Sequence, residues 1–439
     1  MPADPTDVRL SEWPTVWQAV EQIRARNGAL NALSLDLTKR ALLVAAAPQP
    51  SDLPLSGVPY SLKDVWDTRE APTTAGCHRY RSRRPEVDAP VVRALRRSGA
   101  VCVGKSNVPD LAATPECDSS AFGRSKNPFD ESRTPGGSSG GAAAAVASGM
   151  AAFDWGSDFG GSIRLPAAFC GVAGLRLSSK AWPVSGHFPF VPRDLGLQGQ
   201  GPLSRSVRGV RTVRDALAPY LRTAPAAPFE LRGVVVLGVD AFSAGQWPYA
   251  EKEIRAALSE HHVRPASADL PAPRVIHHAF AALLANHWLR LFGPHVFGGN
   301  IGALTCGTRG LHAQTRRIIA ELSLADLSVY RDRRRTAQAV AEVRHLCAAA
   351  FAQGYLIASP TTTYPAPEFD SAHALRSLGA FVKLGNLLDA TALAFPFGSF
   401  ASGMPRSLQL IGPAEAEDCV LSLGEKLEQA SVRRGFHDR

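Results

Sequence analysis

The chain has no Cys-x-x-Cys pair and no His-Glu-x-x-His run. Its cysteines, Cys77, Cys102, Cys117, Cys170, Cys306, Cys347 and Cys419, are odd in number, far apart and mostly set among apolar or small residues. That excludes a zinc ribbon or a dithiol redox motif and reads as reduced thiols. The adjacent pairs His261-His262 and His277-His278 lack ligand spacing and read as surface residues, so no metal and no cofactor is expected. No run of eighteen apolar residues occurs, and the opening MPADPTDVRLSEWP lacks a basic-then-apolar profile. Neither a membrane span nor export is expected, which points to the cytoplasm. Charged residues make up only 20% of the chain and hydrophobic ones 45%, which excludes a disordered or collagen-like polymer. The net charge of +9 is dispersed; its two basic runs, Arg79 to Arg84 and Arg331 to Arg335, read as solvated faces, so no specific nucleic-acid partner is expected.

What is present is enough apolar sequence for a large core. At 439 residues the chain is about three times the ~150-residue prior for one domain, which allows several domains or one large enzyme fold. Apolar spacing predicts helices from Val16 through Leu30 to Leu33 and from Leu37 to Ala47. A short strand, Val58 to Leu62, follows with Lys63 and Asp64 at its end; then come a helix, Pro90 to Arg97, and a strand, Ala100 to Val103. Residues 134–174 are rich in Gly, Ala and Ser, the composition of a buried centre where backbones approach closely. A Pro/Ala stretch at 222–232 marks a boundary, helices dominate to about 353, and strands return at Tyr355 and Ser407 before a last helix. The expected fold class is α/β: one large mixed sheet covered by helices on both faces. We take 1–439 as a single domain, with N-terminal helices at 1–50, a core at 51–220, a mainly helical region at 221–353 and a C-terminal part, 354–439, that completes the sheet.

Two motif matches fail on context. Gly99 to Ser106 (GAVCVGKS) fits the phosphate-loop pattern, but its interior is strand-like and a helix precedes it, the reverse of what cradles a phosphate. Gly136 to Gly140 (GGSSG) fits a nucleophile elbow, yet no strand leads into it. Three segments survive. In GVPYSLKD, a lysine at the inner end of a buried strand would have its pKa lowered toward the range of a general base; taken alone, a lysine salt-bridged to Asp64 is the simpler reading. RTPGGSSGG runs straight into AAAAVA, which suits a tight functional turn better than a linker. In GSDFGGSIRLP, the amides of a glycine turn can converge on one oxygen, with Ser162 at a helix start; the alternative is an ordinary N-cap serine.

The ordered set GVPYSLKD, GKSN, AFGRSKNP, RTPGGSSGG and GSDFGGSIRLPAAFCGVAGLR resembles the amidase signature family of amide hydrolases. Weaker anchors at GPLSRSV, ASPTTTYP and GMPRSLQLIGP carry the resemblance over nearly the whole chain. It implies that Ser162 is the nucleophile, that Ser138, on a cis peptide after Gly137, is the bridging serine, and that Lys63 is the base. It further implies an oxyanion hole from the N–H groups of Phe159, Gly160, Gly161 and Ser162. Asp158 would anchor the glycine turn, Arg164 would form a buried ion pair, and Ser139 would help the network. Ala112, Ala113 and Thr114 stand where the family contacts substrate, and their small side chains leave room beside the scissile bond. On this reading 51–220 is the catalytic core and 221–353, with His287, Trp288 and Phe292, shapes the pocket.

The implied function is hydrolysis of a small-molecule carboxamide to an acid and ammonia or an amine, by an acyl-enzyme. Two alternatives stand beside it: the glutaminase subunit of a tRNA-dependent amidotransferase, and a catalytically silent binding protein on the same scaffold. A homodimer is left open.

Overall fold

The computed structural model describes residues 13–48, 51–191, 196–223, 229–297, 311–317, 333–371 and 379–432. Its strands, in chain order, are β1 (Leu33–Asp36), β2 (Pro59–Lys63), β3 (Val101–Ser106), β4 (Asp118–Ser119), β5 (Gly123–Arg124), β6 (Phe153–Asp158), β7 (Ala173–Arg176), β8 (Gly199–Ser204), β9 (Gly233–Val236), β10 (Pro265–Ala266), β11 (Tyr355–Pro360), β12 (Thr391–Ser399) and β13 (Pro405–Gly412). Its helices are α1 (Val16–Leu30), α2 (Thr38–Ala46), α3 (Pro90–Arg97), α4 (Gly140–Ala147), α5 (Arg164–Phe169), α6 (Val207–Leu221), α7 (Ala250–Glu260), α8 (Pro273–Phe297), α9 (Arg333–Ala352), α10 (Val382–Leu387) and α11 (Glu417–Val432). Eleven strands join in one sheet, ordered β1-β3-β2-β6-β8-β7-β12-β13-β11-β9-β10, while β4 and β5 pair separately. β2 runs parallel to β3 and β6, β8 and β7 are antiparallel to their neighbours, and β9 is parallel to β11 and β10. The sheet is mixed and flanked by helices, the α/β class expected of the sequence.

Strand alternation sets the site. On β2, Tyr60 and Leu62 enter the main apolar core, with Tyr60 stacked on Phe153. Ser61 and Lys63 take the opposite face, where Ser61 Oγ donates to Asp154 Oδ2 at 2.7 Å. The helix α4 is built from Gly, Ala and one Val, and is buried almost throughout. Its smallness has a steric cause, since a Cβ on Gly141 would collide with the backbone of Ala32 and Asn107.

Several sequence expectations are corrected. The first helix stops at Leu30, because Asn31 takes the left-handed conformation (φ 47°) and donates its side-chain amide to Phe122 O at 2.8 Å; Leu33 then begins a strand. β3 runs on to Ser106, so Gly104-Lys105-Ser106 is strand and no phosphate loop. The mainly helical stretch also carries β10, which pairs with β9. α5 starts at Arg164, beyond Ser162, and spans six residues. Among the described residues no helix is long and apolar enough to cross a membrane, and no group of His, Cys, Asp and Glu converges as a metal site would require. The six described cysteines are free. Cys306, Arg331 and Asp332, and the side chains of Trp288 and Phe292, lie outside the described residues.

Candidate active site

Lys63 closes β2 and is fully buried. It does not pair with Asp64, as the simpler reading had it; Asp64 is taken by Lys105 at 3.2 Å and by the Thr74 hydroxyl. Lys63 Nζ instead lies 2.9 Å from Ser138 Oγ, 3.0 Å from Ser157 O and 3.0 Å from Ser157 Oγ. Burial pulls its pKa down to about 7, against the opposing pull of Asp158 and Asp154. The same burial pushes the Asp154 carboxyl up to about 7. The Gly137–Ser138 peptide is cis, and Ser139 N donates to Ser162 O at 3.1 Å, tying the two serine turns together. Ser139 Oγ is buried without a hydrogen-bond partner. Ser162 is half-buried, and its hydroxyl bonds neither Ser138 nor another described residue.

Sequence reasoning missed Ser157, which stands in the quoted GSDFGGSIRLP, and His187, which stands in none of the quoted stretches. His187 Nδ1 lies 2.8 Å from Pro189 O, and His187 Nε2 lies 3.0 Å from Ser157 Oγ. Burial holds this imidazole down at about 3, so it is neutral. A carbonyl only accepts, so the ring proton sits on Nδ1 and Nε2 accepts from the Ser157 hydroxyl. Ser157 Oγ and Ser157 O then both accept from Lys63. With its two N–H bonds so committed, a neutral Lys63 has its lone pair facing Ser138 Oγ.

The turn after β6 is held by Asp158, which accepts from Gly161 N at 2.8 Å and Ile163 N at 3.1 Å. Gly161 therefore differs from the expectation for an oxyanion donor: its N–H already belongs to Asp158. The N–H groups of Phe159, Gly160 and Ser162 make no hydrogen bond to a described residue. Gly161 has φ 106° and lies against Val382, so a side chain there meets both strain and a neighbour. Because α5 is short and begins past Ser162, the turn's positive potential comes from these amides and not from a helix end.

Arg164 is wholly buried and meets Asp158 with Nε and Nη2, each at 3.1 Å. Asn386 Oδ1 accepts from it at 2.8 Å and Gln409 Oε1 at 3.1 Å, while Asn386 Nδ2 donates to Asp158. Burial alone would raise the Asp158 pKa, but Arg164 holds it well below the usual carboxylate range. Asn386 was not signalled by the sequence, and Gln409, though inside the quoted GMPRSLQLIGP, was given no role.

The Asp110–Ala112 turn carries Leu111 and Ala112 at positive φ. Ala112 and Ala113 are half-buried, whereas Thr114 is buried and its hydroxyl donates to Glu116 O at 2.6 Å. The Thr114 carbonyl abuts Gly137. Thr114 thus reaches the serine turn through its backbone, with its hydroxyl already used. The surface reading of His277 is also corrected: it is half-buried and bonded to Lys383, while His278 is exposed.

The Amidase family model matches residues 15–232. The chain is 32% identical to a glutamyl-tRNA(Gln) amidotransferase subunit of Thermus thermophilus, over 91% of this chain and 90% of the relative. A solved amidase superposes with TM-score 0.77 at 26% identity, over 97% of this chain and 98% of the other. A structure from a vestigial protein complex, described as revealing the origins of an s-triazine catabolic enzyme, gives TM-score 0.80 at 25% identity, over 97% and 95%.

Proposed function

Because the chain belongs to the amidase signature family of amide C–N hydrolases, we propose that it hydrolyses a small-molecule carboxamide through Ser162, Ser138 and Lys63. The observation that carries this reading is the buried, uncharged-leaning Lys63 with its lone pair turned to Ser138. Ser162 Oγ attacks the carbonyl carbon and passes its proton to Ser138, which passes its own to Lys63 Nζ. The carbonyl oxygen takes the negative charge and is met by the free amides of Phe159, Gly160 and Ser162. On collapse the C–N bond breaks, and the leaving nitrogen takes a proton back from Lys63 through Ser138. Water then adds to the acyl-enzyme by the same route, freeing the acid and Ser162. Residues 51–220 serve as the catalytic core, in a protein we read as a single cytoplasmic domain.

The test is ammonia or amine release from a panel of simple carboxamides by the purified chain alone. Release from the lone chain is the expected result. Likeness to an amidotransferase subunit favours one second reading, a partner-dependent glutaminase; release from glutamine only after partner subunits are added would select it.

His187→Phe keeps an aromatic ring against Trp66, 5.2 Å away in the native contact, but removes the acceptor for Ser157. The freed hydroxyl proton can then turn to the Lys63 lone pair. Steady-state kinetics should show kcat falling about tenfold with KM unchanged, the scale of one hydrogen bond. An unaltered kcat in the folded variant would remove His187 from the positioning of Lys63.

A further inference from the structure

Among the described residues the buried cations are, with one exception, matched by carboxylates. Lys105 holds Asp64, Arg164 holds Asp158, Arg176 holds Asp389 and Arg214 holds Glu417. The exception is Lys63, assigned above to proton transfer. One further lysine, half-buried, shares that condition. Lys383, in the first turn of α10, has no carboxylate within ion-pair reach among the described residues.

Its surroundings explain how unusual this is. Lys383 Nζ lies 2.8 Å from His277 Nδ1 and 5.7 Å from the centre of the Phe280 ring. Those two residues stand one turn apart on α8, within an apolar cluster that includes Leu197, Ile276 and Leu384. Burial holds the lysine down at about 7 and its imidazole partner at about 3. A neutral imidazole nitrogen and a ring face are weak compensation for an ammonium removed from water. No described carboxylate pairs with the charge.

The place of this lysine gives it a use. Val382, its chain neighbour, packs on Gly161, and Phe280 lies over Gly160, where a Cβ would meet its ring at 3.0 Å. Phe159 meets Phe280 edge-on at 6.3 Å. The unmatched amine is thus one aromatic ring away from the turn whose amides face the reacting carbonyl. We propose that Lys383 is a specificity residue that receives a carboxylate carried by the amide substrate, with His277 holding the amine in place. This rests on the amidase reading of the Ser162 site and narrows it to anionic amides. A bound carboxylate supplies the counter-ion that no described residue provides, and a charged hydrogen bond made there outweighs one made in water.

The experiment compares kcat/KM for two matched pairs with the full-length protein. Glutaramate against pentanamide places the carboxylate in the acyl part; N-butyrylglycine against N-propylbutanamide places it in the leaving part. The carboxylate member of one pair should be preferred by about 10- to 100-fold, the worth of one charged hydrogen bond. That ratio should collapse in Lys383→Met and be partly kept in Lys383→Arg. The melting temperature of Lys383→Met should stay level or rise, since an unmatched half-buried charge is removed. Turnover of the neutral amides with no preference in either pair overturns the proposal and leaves the amidase reading standing. A preference that survives in a folded Lys383→Met, or a lowered melting temperature with unchanged selectivity, overturns it as well, assigning the lysine to the fold. No turnover of either class overturns the amidase reading and this proposal together.

Discussion

Ser162→Ala should lower turnover of any accepted amide by roughly 10^4- to 10^6-fold, the scale seen when a covalent nucleophile is deleted. Its fold should be untouched, since the Ser162 hydroxyl makes no hydrogen bond to a described residue, while the structural link from Ser139 N uses the Ser162 carbonyl. The sharper readout is chemical. A fluorophosphonate should form one adduct on the wild-type protein, mapping to the peptide that contains Ser162, and none on the variant. An adduct that persists in Ser162→Ala would mean that another hydroxyl is the activated one. No adduct on well-folded wild type would mean that Ser162 is not activated in the isolated chain, which moves weight to a partner-dependent glutaminase.

Lys63→Met should lower kcat/KM by roughly 10^2- to 10^4-fold, the contribution of a positioned general base. The accompanying pH profile identifies the lysine as the titrating group. With its pKa at about 7, Lys63 is protonated below that pH and its lone pair is occupied, so wild-type kcat/KM should fall about tenfold per pH unit below 7 and level off above it. The limb should vanish in Lys63→Met. Stability also rises with pH, over the next interval. The unfolded chain keeps its lysine protonated up to an ordinary value near 10.5, so between about 7 and that value it binds the extra proton and stability rises with pH. Burial of this amine therefore costs most at and below neutrality, and Lys63→Met should melt higher than wild type there. A variant that keeps the pH limb would show that another group titrates.

The candidate site was legible where its chemistry is local in sequence. GVPYSLKD, RTPGGSSGG and GSDFGGSIRLP each carry a whole turn or strand end, so these segments could be singled out, and the family resemblance then pointed to Lys63, Ser138 and Ser162 within them. What was not legible depends on pairings across the sheet. Lys63 meets Ser157 because β2 lies beside β6, and Ser157 meets His187 because a distant loop returns over the end of that strand. The donor status of Gly161 was misread for a related reason. A glycine turn shows that amides are free to converge, but not that Asp158, three residues earlier, has claimed one of them. The helix predicted through Leu33 failed on Asn31, whose left-handed conformation is secured by Phe122, a partner far along the chain.

The clamp on Arg164 also sets the order in which this protein can mature. Asp158 and Arg164 are made early, but Asn386 lies 222 residues beyond Arg164 and Gln409 lies 245 beyond it. During vectorial synthesis the N-terminal strands can begin to pair while the guanidinium still lacks both of its neutral partners. Closing such a distant contact is slow relative to local structure, because the long loop's entropy is spent before the bond forms. The amide turn beside Ser162 thus acquires its final rigidity only when the C-terminal strands arrive. A truncated or stalled chain would carry every residue of the proposed triad and yet leave the Arg164 clamp without Asn386 and Gln409.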